Sequence, residues 1–166
     1  VNTFAILKVV YTFKKVTYYT IQRDGETKDC FSEFRDKHIA DPACKEDMQT
    51  LMYWLTVIGK QYGAKERYFR HEAYRGGDAK ALPPKSLQPS SRLRLYCICI
   101  NDQSIILLSG GLKTRNKAQD CPIVGPPFRE ANKVEKAIRD LIHSKEIQID
   151  NNGRLAYDND LIVDIK

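Results

Sequence analysis

Residues 92–117 read RLRLYCICINDQSIILLSGGLKTRNK. From Leu93 to Leu108 the run is rich in Leu, Ile, Cys and Tyr. It is broken only by Asn101, Asp102 and Gln103, residue types that favour a tight polar turn. The pattern therefore predicts two buried strands joined as a hairpin. Arg92 and Arg94 stand two apart on the first strand, so they project from one face. Lys113, Arg115 and Lys117 follow directly after the second strand. A hydrophobic hairpin with cations at its open end is a platform for phosphate, and nucleic acid is the first partner to consider.

The flanking segments alternate between strand and helix signals. Residues 4–12 and 16–22 are β-branched and aromatic, separated by Lys14 and Lys15 and closed by Asp24 and Gly25, which predicts a hairpin. Phe31, Phe34 and His38 recur at helical spacing. Asp41-Pro42 then supplies a capping carboxylate and a first-turn proline. Met48, Leu51, Met52, Leu55 and Ile58 form one stripe, so residues 43–62 are expected as an amphipathic helix ending near Gly59 or Gly63. Pro126-Pro127 leads into a later helix lined by Phe128, Ala131, Val134, Ile138, Leu141 and Ile142. The tail returns to strands at 146–149, 154–157 and 161–165, with a turn at Asn151, Asn152 and Gly153. The order predicts an α+β fold on an antiparallel β-sheet, with two helices in the N-terminal half and one later.

With 166 residues, the chain suits a single domain, 1–166, in which residues from about 145 to 166 form a C-terminal β extension. No run of about 18 apolar residues exists, so no membrane span or membrane partner is expected. The apolar start VNTFAILKVVYTF is interrupted by Lys8 and lacks a signal-peptide cleavage pattern. Five cysteines, an odd number mostly in apolar surroundings, favour reduced thiols over a disulfide framework. A cytoplasmic location is expected. The net charge of +6 is unevenly spread: residues 60–120 hold 12 Lys and Arg against 5 Asp and Glu. The whole basic excess lies in that central third, as expected of a surface that attracts polyanions.

Other chemistries find little support. Cys97 and Cys99 are spaced Cys-x-Cys within a strand, and His38, His71 and His143 are scattered, so no metal site is expected. Cys121 sits in a loop with no sequence partner to mark it as a nucleophile. Gly110-Gly111 precedes Lys113, but no phosphate-cradling glycine motif is present, and no cofactor is expected. The stretch Arg67, Tyr68, Phe69, Arg70, His71, Glu72, Ala73, Tyr74, Arg75 interleaves aromatics with cations. Such a stretch suits first a strand alternating core rings with solvent charges, and second a surface that stacks on unpaired bases.

Taken together, residues 16–138 resemble the RelE-like toxin superfamily, particularly its HigB-like branch. The carrying pieces are LRLYCICI, SIILLSGGLK and TRNKAQDCP, followed by FREANKVEKAI. The resemblance implies a RelE-like fold and an mRNA endoribonuclease that acts by 2′-hydroxyl attack on the adjacent phosphate. It also implies RNA as substrate, commonly on the ribosome, and a cognate antitoxin as protein partner. By position, Arg94 resembles the family's strand arginine, and Lys113 and Lys117 its basic residues after the last core strand; these three are the expected catalytic set. Arg92, Arg115, Arg67, Arg70 and Arg75 are the expected RNA contacts, with Tyr96 or Tyr74 as aromatic platform. The chain departs from the family in its extra β-structure at both ends and its long segment 76–91. No catalytic His or Tyr can be assigned after the turn. The alternative is therefore a non-catalytic nucleic-acid- or protein-binding module using the same basic face.

Overall fold

The hairpin predicted at the centre forms as β5 (Leu93–Asn101) and β6 (Ser104–Leu112), turning at Asp102 and Gln103. A second hairpin, β1 (Phe4–Thr12) and β2 (Thr17–Arg23), turns at Lys14 and Lys15. Short strands β3 (Arg70–His71) and β4 (Lys80–Leu82) extend the central hairpin outward, each antiparallel to its neighbour. The tail contributes a small separate hairpin, β7 (Gln148–Ile149) with β8 (Leu155–Ala156). It ends in β9 (Val163–Asp164), which pairs with the start of β1. The computed structural model describes residues 2–71, 79–85, 87–88, 90–114 and 121–166.

Among the described residues, seven strands make one sheet in the order β3-β4-β5-β6-β2-β1-β9. The fold is α+β as expected, but the sheet is not antiparallel throughout. β2 runs parallel to β6, through the pairs Thr17↔Ser104, Tyr18↔Ile105 and Tyr19↔Ile106. A parallel neighbour requires a long crossover connection. The helices and outer strands between residues 23 and 104 supply it.

Among the described residues, three α-helices cover the sheet. In α1 (Cys30–Ile39), Asp29 caps the first turn by accepting from Ser32 N at 2.7 Å. Phe31 N donates to Thr20 Oγ1 at 3.3 Å, which ties the helix start to β2. Asp41 and Pro42 begin a short 3₁₀ turn that leads into α2 (Lys45–Val57). The final turn of this helix widens over Ile58–Tyr62, where Gly63 N donates to Ile58 O at 2.8 Å. Gly63 then adopts φ +78°, a left-handed geometry that ends the helix at little steric cost. The third helix, α3 (Gly125–His143), carries Pro126 and Pro127 in its first turn, where their missing N–H groups cost nothing.

Strand alternation sends side chains into two cores. Tyr18, Leu93, Leu95 and Leu107 pack with Phe31, Phe34, Leu51 and Leu55 of α1 and α2. Tyr19, Tyr96, Ile98 and Ile106 pack with Phe128, Val134 and Ile138 of α3. Both faces of the central strands are thus covered, which is why residues 93–108 read as a continuous apolar run. Each fully buried Leu or Phe here is worth roughly 1.5–3 kcal/mol relative to an exposed one. Tyr18 donates to Leu55 O at 2.7 Å, and burial raises its phenol pKa, so it stays a neutral donor.

At Gly110 the two strands of the central hairpin approach closely. A Cβ there would lie 1.8 Å from the Arg94 carbonyl oxygen, a backbone atom that cannot swing away. Gly110→Ala is therefore expected to destabilise the protein by about 2 kcal/mol or more, read as a lower urea midpoint with an unchanged m-value.

Candidate nucleic-acid interface

The central hairpin has an open end, at residues 92–94 and 111–114, and a turn end, at 101–104. The expected cationic site lies at the open end. There Arg94 is 6% exposed, and its Nη1 donates to Ser91 O at 2.6 Å and Leu93 O at 3.1 Å. Arg94 stands opposite Gly111. The ladder continues one step further, because Lys113 N donates to Arg92 O at 2.8 Å. That step brings Arg92, which is exposed, beside half-buried Lys113. Tyr96 is fully buried on the α3 face, 5.1 Å from the Phe128 ring, where no base can reach it. Arg70 is buried as well, with Nε and Nη2 donating to Pro83 O and Gln88 O, each at 3.2 Å. Glu72, Tyr74, Arg75, Arg115 and Lys117 lie outside the described residues.

The same end holds a thiol that sequence reading left without a partner. Thr114 N donates to Cys121 Sγ at 3.3 Å, and Thr114 Oγ1 lies 3.2 Å from it. Burial raises the pKa of this thiol, but hydrogen bonds from Thr114 and from the backbone of Val124 and Ile123 outweigh that and lower it to about 6. Cys30 behaves oppositely: burial, with the nearby Glu130 charge adding to it, pushes its pKa up to about 12. No cluster of metal-binding side chains occurs among the described residues.

At the turn end four segments distant in sequence converge on one open groove of about 820 Å³. Its walls carry Lys14, Lys15, Lys65 and Arg154, with Tyr62 and a carboxylate, Asp102. The backbone explains the convergence. Lys15 N and Val16 N both donate to Gly59 O, at 2.8 and 3.2 Å, clamping the first hairpin turn to the end of α2. Ala64 N donates to Asp102 O at 2.8 Å, and Thr17 N to Gln103 O at 2.9 Å. Asn101 Nδ2 and Ser104 Oγ donate to Gly153 O at 2.9 and 2.6 Å, which docks the tail turn on the central hairpin. Arg154 bridges back, with Nη1 donating to Thr17 Oγ1 and Nη2 to Lys14 O at 3.1 Å.

Lys14, Lys15 and Lys65 are exposed. Lys65 Nζ lies 3.4 Å from Asp102 Oδ2, with both side chains about half exposed. Such a solvated pair is worth only about 0–1 kcal/mol and leaves the lysine exchangeable toward another anion. Lys60 and Arg67 are exposed on the adjoining segments, Lys60 with its Nζ 5.8 Å from the Phe13 ring centroid. Arg67, an expected RNA contact, therefore belongs to the turn end, whereas Arg92 and Arg94 belong to the open end. By sequence, Lys14-Lys15 and residues 151–153 read only as turns, and Arg154 as the start of a strand. The available signal was that cations sit at turn positions, but which turns meet depends on strand order.

Comparison with family models, curated proteins and solved structures gives no match.

The Cys121 environment makes a direct prediction. Absorbance near 240 nm should report a thiolate forming with a midpoint near pH 6, and Cys121→Ser should remove that transition. Because the folded-state pKa lies below the ordinary thiol value, the associated stability is present at alkaline pH and is lost as pH falls through about 6.

Proposed function

We propose that this chain is a nucleic-acid-binding module that holds a phosphate backbone in the groove at the turn end of its sheet. The convergence of Lys14, Lys15, Lys65 and Arg154 around one open groove carries this reading. Phosphates are spaced along a polymer, so a run of exposed cations across a groove can contact several at once. Each contact releases condensed counterions, and binding by three or four such cations is steeply salt-dependent. Arg154 is held by the first hairpin turn, so it presents a fixed charge, while the three lysines adapt to the backbone's path. The basic excess of residues 60–120 adds a long-range field of the same sign.

Affinity for an oligonucleotide of about 20 residues should fall about 20- to 50-fold between roughly 50 and 200 mM salt. The double variant Lys14→Glu/Lys65→Glu should weaken binding at least tenfold and flatten the salt slope. Unchanged affinity in a variant with native circular dichroism would remove the groove from the reading.

A second reading is favoured by the ladder step that sets Arg92 beside Lys113 at the open end. It is the endoribonuclease expected from the resemblance to RelE-like toxins. In that reading Arg92 and Lys113 meet the scissile phosphate and stabilise its added negative charge. Arg94, held on two backbone carbonyls, acts as a positioning residue. Expression in a bacterial host should then arrest growth and create discrete RNA 5′ ends, and Lys113→Ala should abolish both. Healthy growth with intact transcripts would leave the binding module alone.

A further inference from the structure

We infer that the turn-end groove takes a single-stranded polynucleotide, whose bases stack on tyrosines beside the phosphate track. The inference rests on the nucleic-acid reading of that groove and names its substrate class. α2 and the segments after it supply a run of four aromatic rings. Tyr62 stacks on Tyr68 with centroids 5.0 Å apart and planes 14° from parallel. Trp54 lies 6.1 Å behind Tyr68, and Tyr53 meets Trp54 edge-on at 5.6 Å. Trp54 and Tyr68 are buried, whereas Tyr53 is 56% and Tyr62 38% exposed.

Buried rings thus back exposed ones, so the outer tyrosines are supported by packing before any ligand arrives. A supported ring loses little freedom on binding, which favours stacking. The widened last turn of α2 carries Tyr62 into the groove wall beside Gln61 and Gly63. Exposed Lys65 lines the same groove as Tyr62, and the guanidinium carbon of exposed Arg67 lies 5.0 Å from the Tyr68 centroid. Aromatic faces next to a cationic track suit a strand whose bases are unpaired. A duplex offers the phosphates but keeps its base faces stacked inside, so Tyr53 and Tyr62 would gain nothing from it. An acidic protein would satisfy the lysines without needing ring faces.

The test is fluorescence anisotropy with labelled oligo(U) and oligo(dT) of about 12 nucleotides and a duplex of equal length, with heparin and polyglutamate as competitors. The wild-type chain should bind the single strands about tenfold more tightly than the duplex. Comparable oligo(U) and oligo(dT) affinities mark a general single-strand site, and preference for oligo(U) assigns it to RNA; both support the inference. Tyr62→Leu and Tyr53→Leu should each lower single-strand affinity about tenfold and leave duplex and heparin binding unchanged, while Tyr62→Phe retains wild-type affinity. Equal binding of duplex and single strand, or no loss in both leucine variants at native circular dichroism, overturns the inference and leaves the nucleic-acid reading standing. Failure to bind any polynucleotide while binding polyglutamate overturns both and assigns the surface to an acidic protein.

Discussion

Three residue pairs join the two halves of the sheet. β2 meets β6 only through Thr17, Tyr18 and Tyr19 against Ser104, Ile105 and Ile106. On one side of this seam lies the set β9-β1-β2, and on the other β6-β5-β4-β3. A ladder this short contributes little by itself. The seam is held by what its side chains reach on either face. Tyr18 goes to α2 through Leu55 O, and Tyr19 accepts from Leu155 N at 3.0 Å through its hydroxyl on the other side. The same three residues therefore bind strand to strand, sheet to helix and sheet to tail.

The parallel sense of that seam decides where the charges fall. β2 begins after one hairpin turn and β6 begins after the other. Parallel strands place both beginnings at the same end of the sheet, so Lys14 and Lys15 come to rest beside Asp102 and Gln103. An antiparallel seam would have put the two turns at opposite ends, and no groove would form between them. The tail strengthens this arrangement. Its turn docks on the central hairpin through Gly153 O, and Arg154 reaches across to the Lys14 carbonyl. The C-terminal extension is thus part of the cationic surface and of its support.

The two ends of the sheet use cations differently. At the open end Arg94 turns its guanidinium onto main-chain carbonyls, satisfying oxygen atoms that burial would otherwise strand. Arg70 does the same for the segment after β4. Both side chains are buried and offer little to a partner, whereas Arg154, also tied to a main-chain carbonyl, is only half-buried and lines the groove. At the turn end the lysines keep their ammonium groups in solvent, beside rings that keep part of their surface in solvent as well. The binding reading follows from this contrast between satisfied and available charge.

Much of the local architecture was legible in the chain itself. The apolar run around Asn101, Asp102 and Gln103 specified the central hairpin, because two short apolar segments rich in Ile and Leu on either side of a polar turn fit paired buried strands. The stripe from Met48 to Ile58 specified α2, although Asp41 and Pro42 begin the 3₁₀ turn before it and α2 itself starts at Lys45, and Phe128, Val134 and Ile138 specified the inward face of α3. These are signals of neighbouring residues, set by backbone geometry and side-chain period. Whether a cation is buried or solvated was not legible. Arg92 and Arg94 share a strand face by spacing, yet one is exposed and the other is folded onto carbonyls. Nor was the meeting of residues 14–15, 62–65, 102 and 154, which are separated by up to most of the chain. That meeting was decided by the tertiary pairing of β2 with β6, an interaction between segments whose relative direction no local pattern encodes.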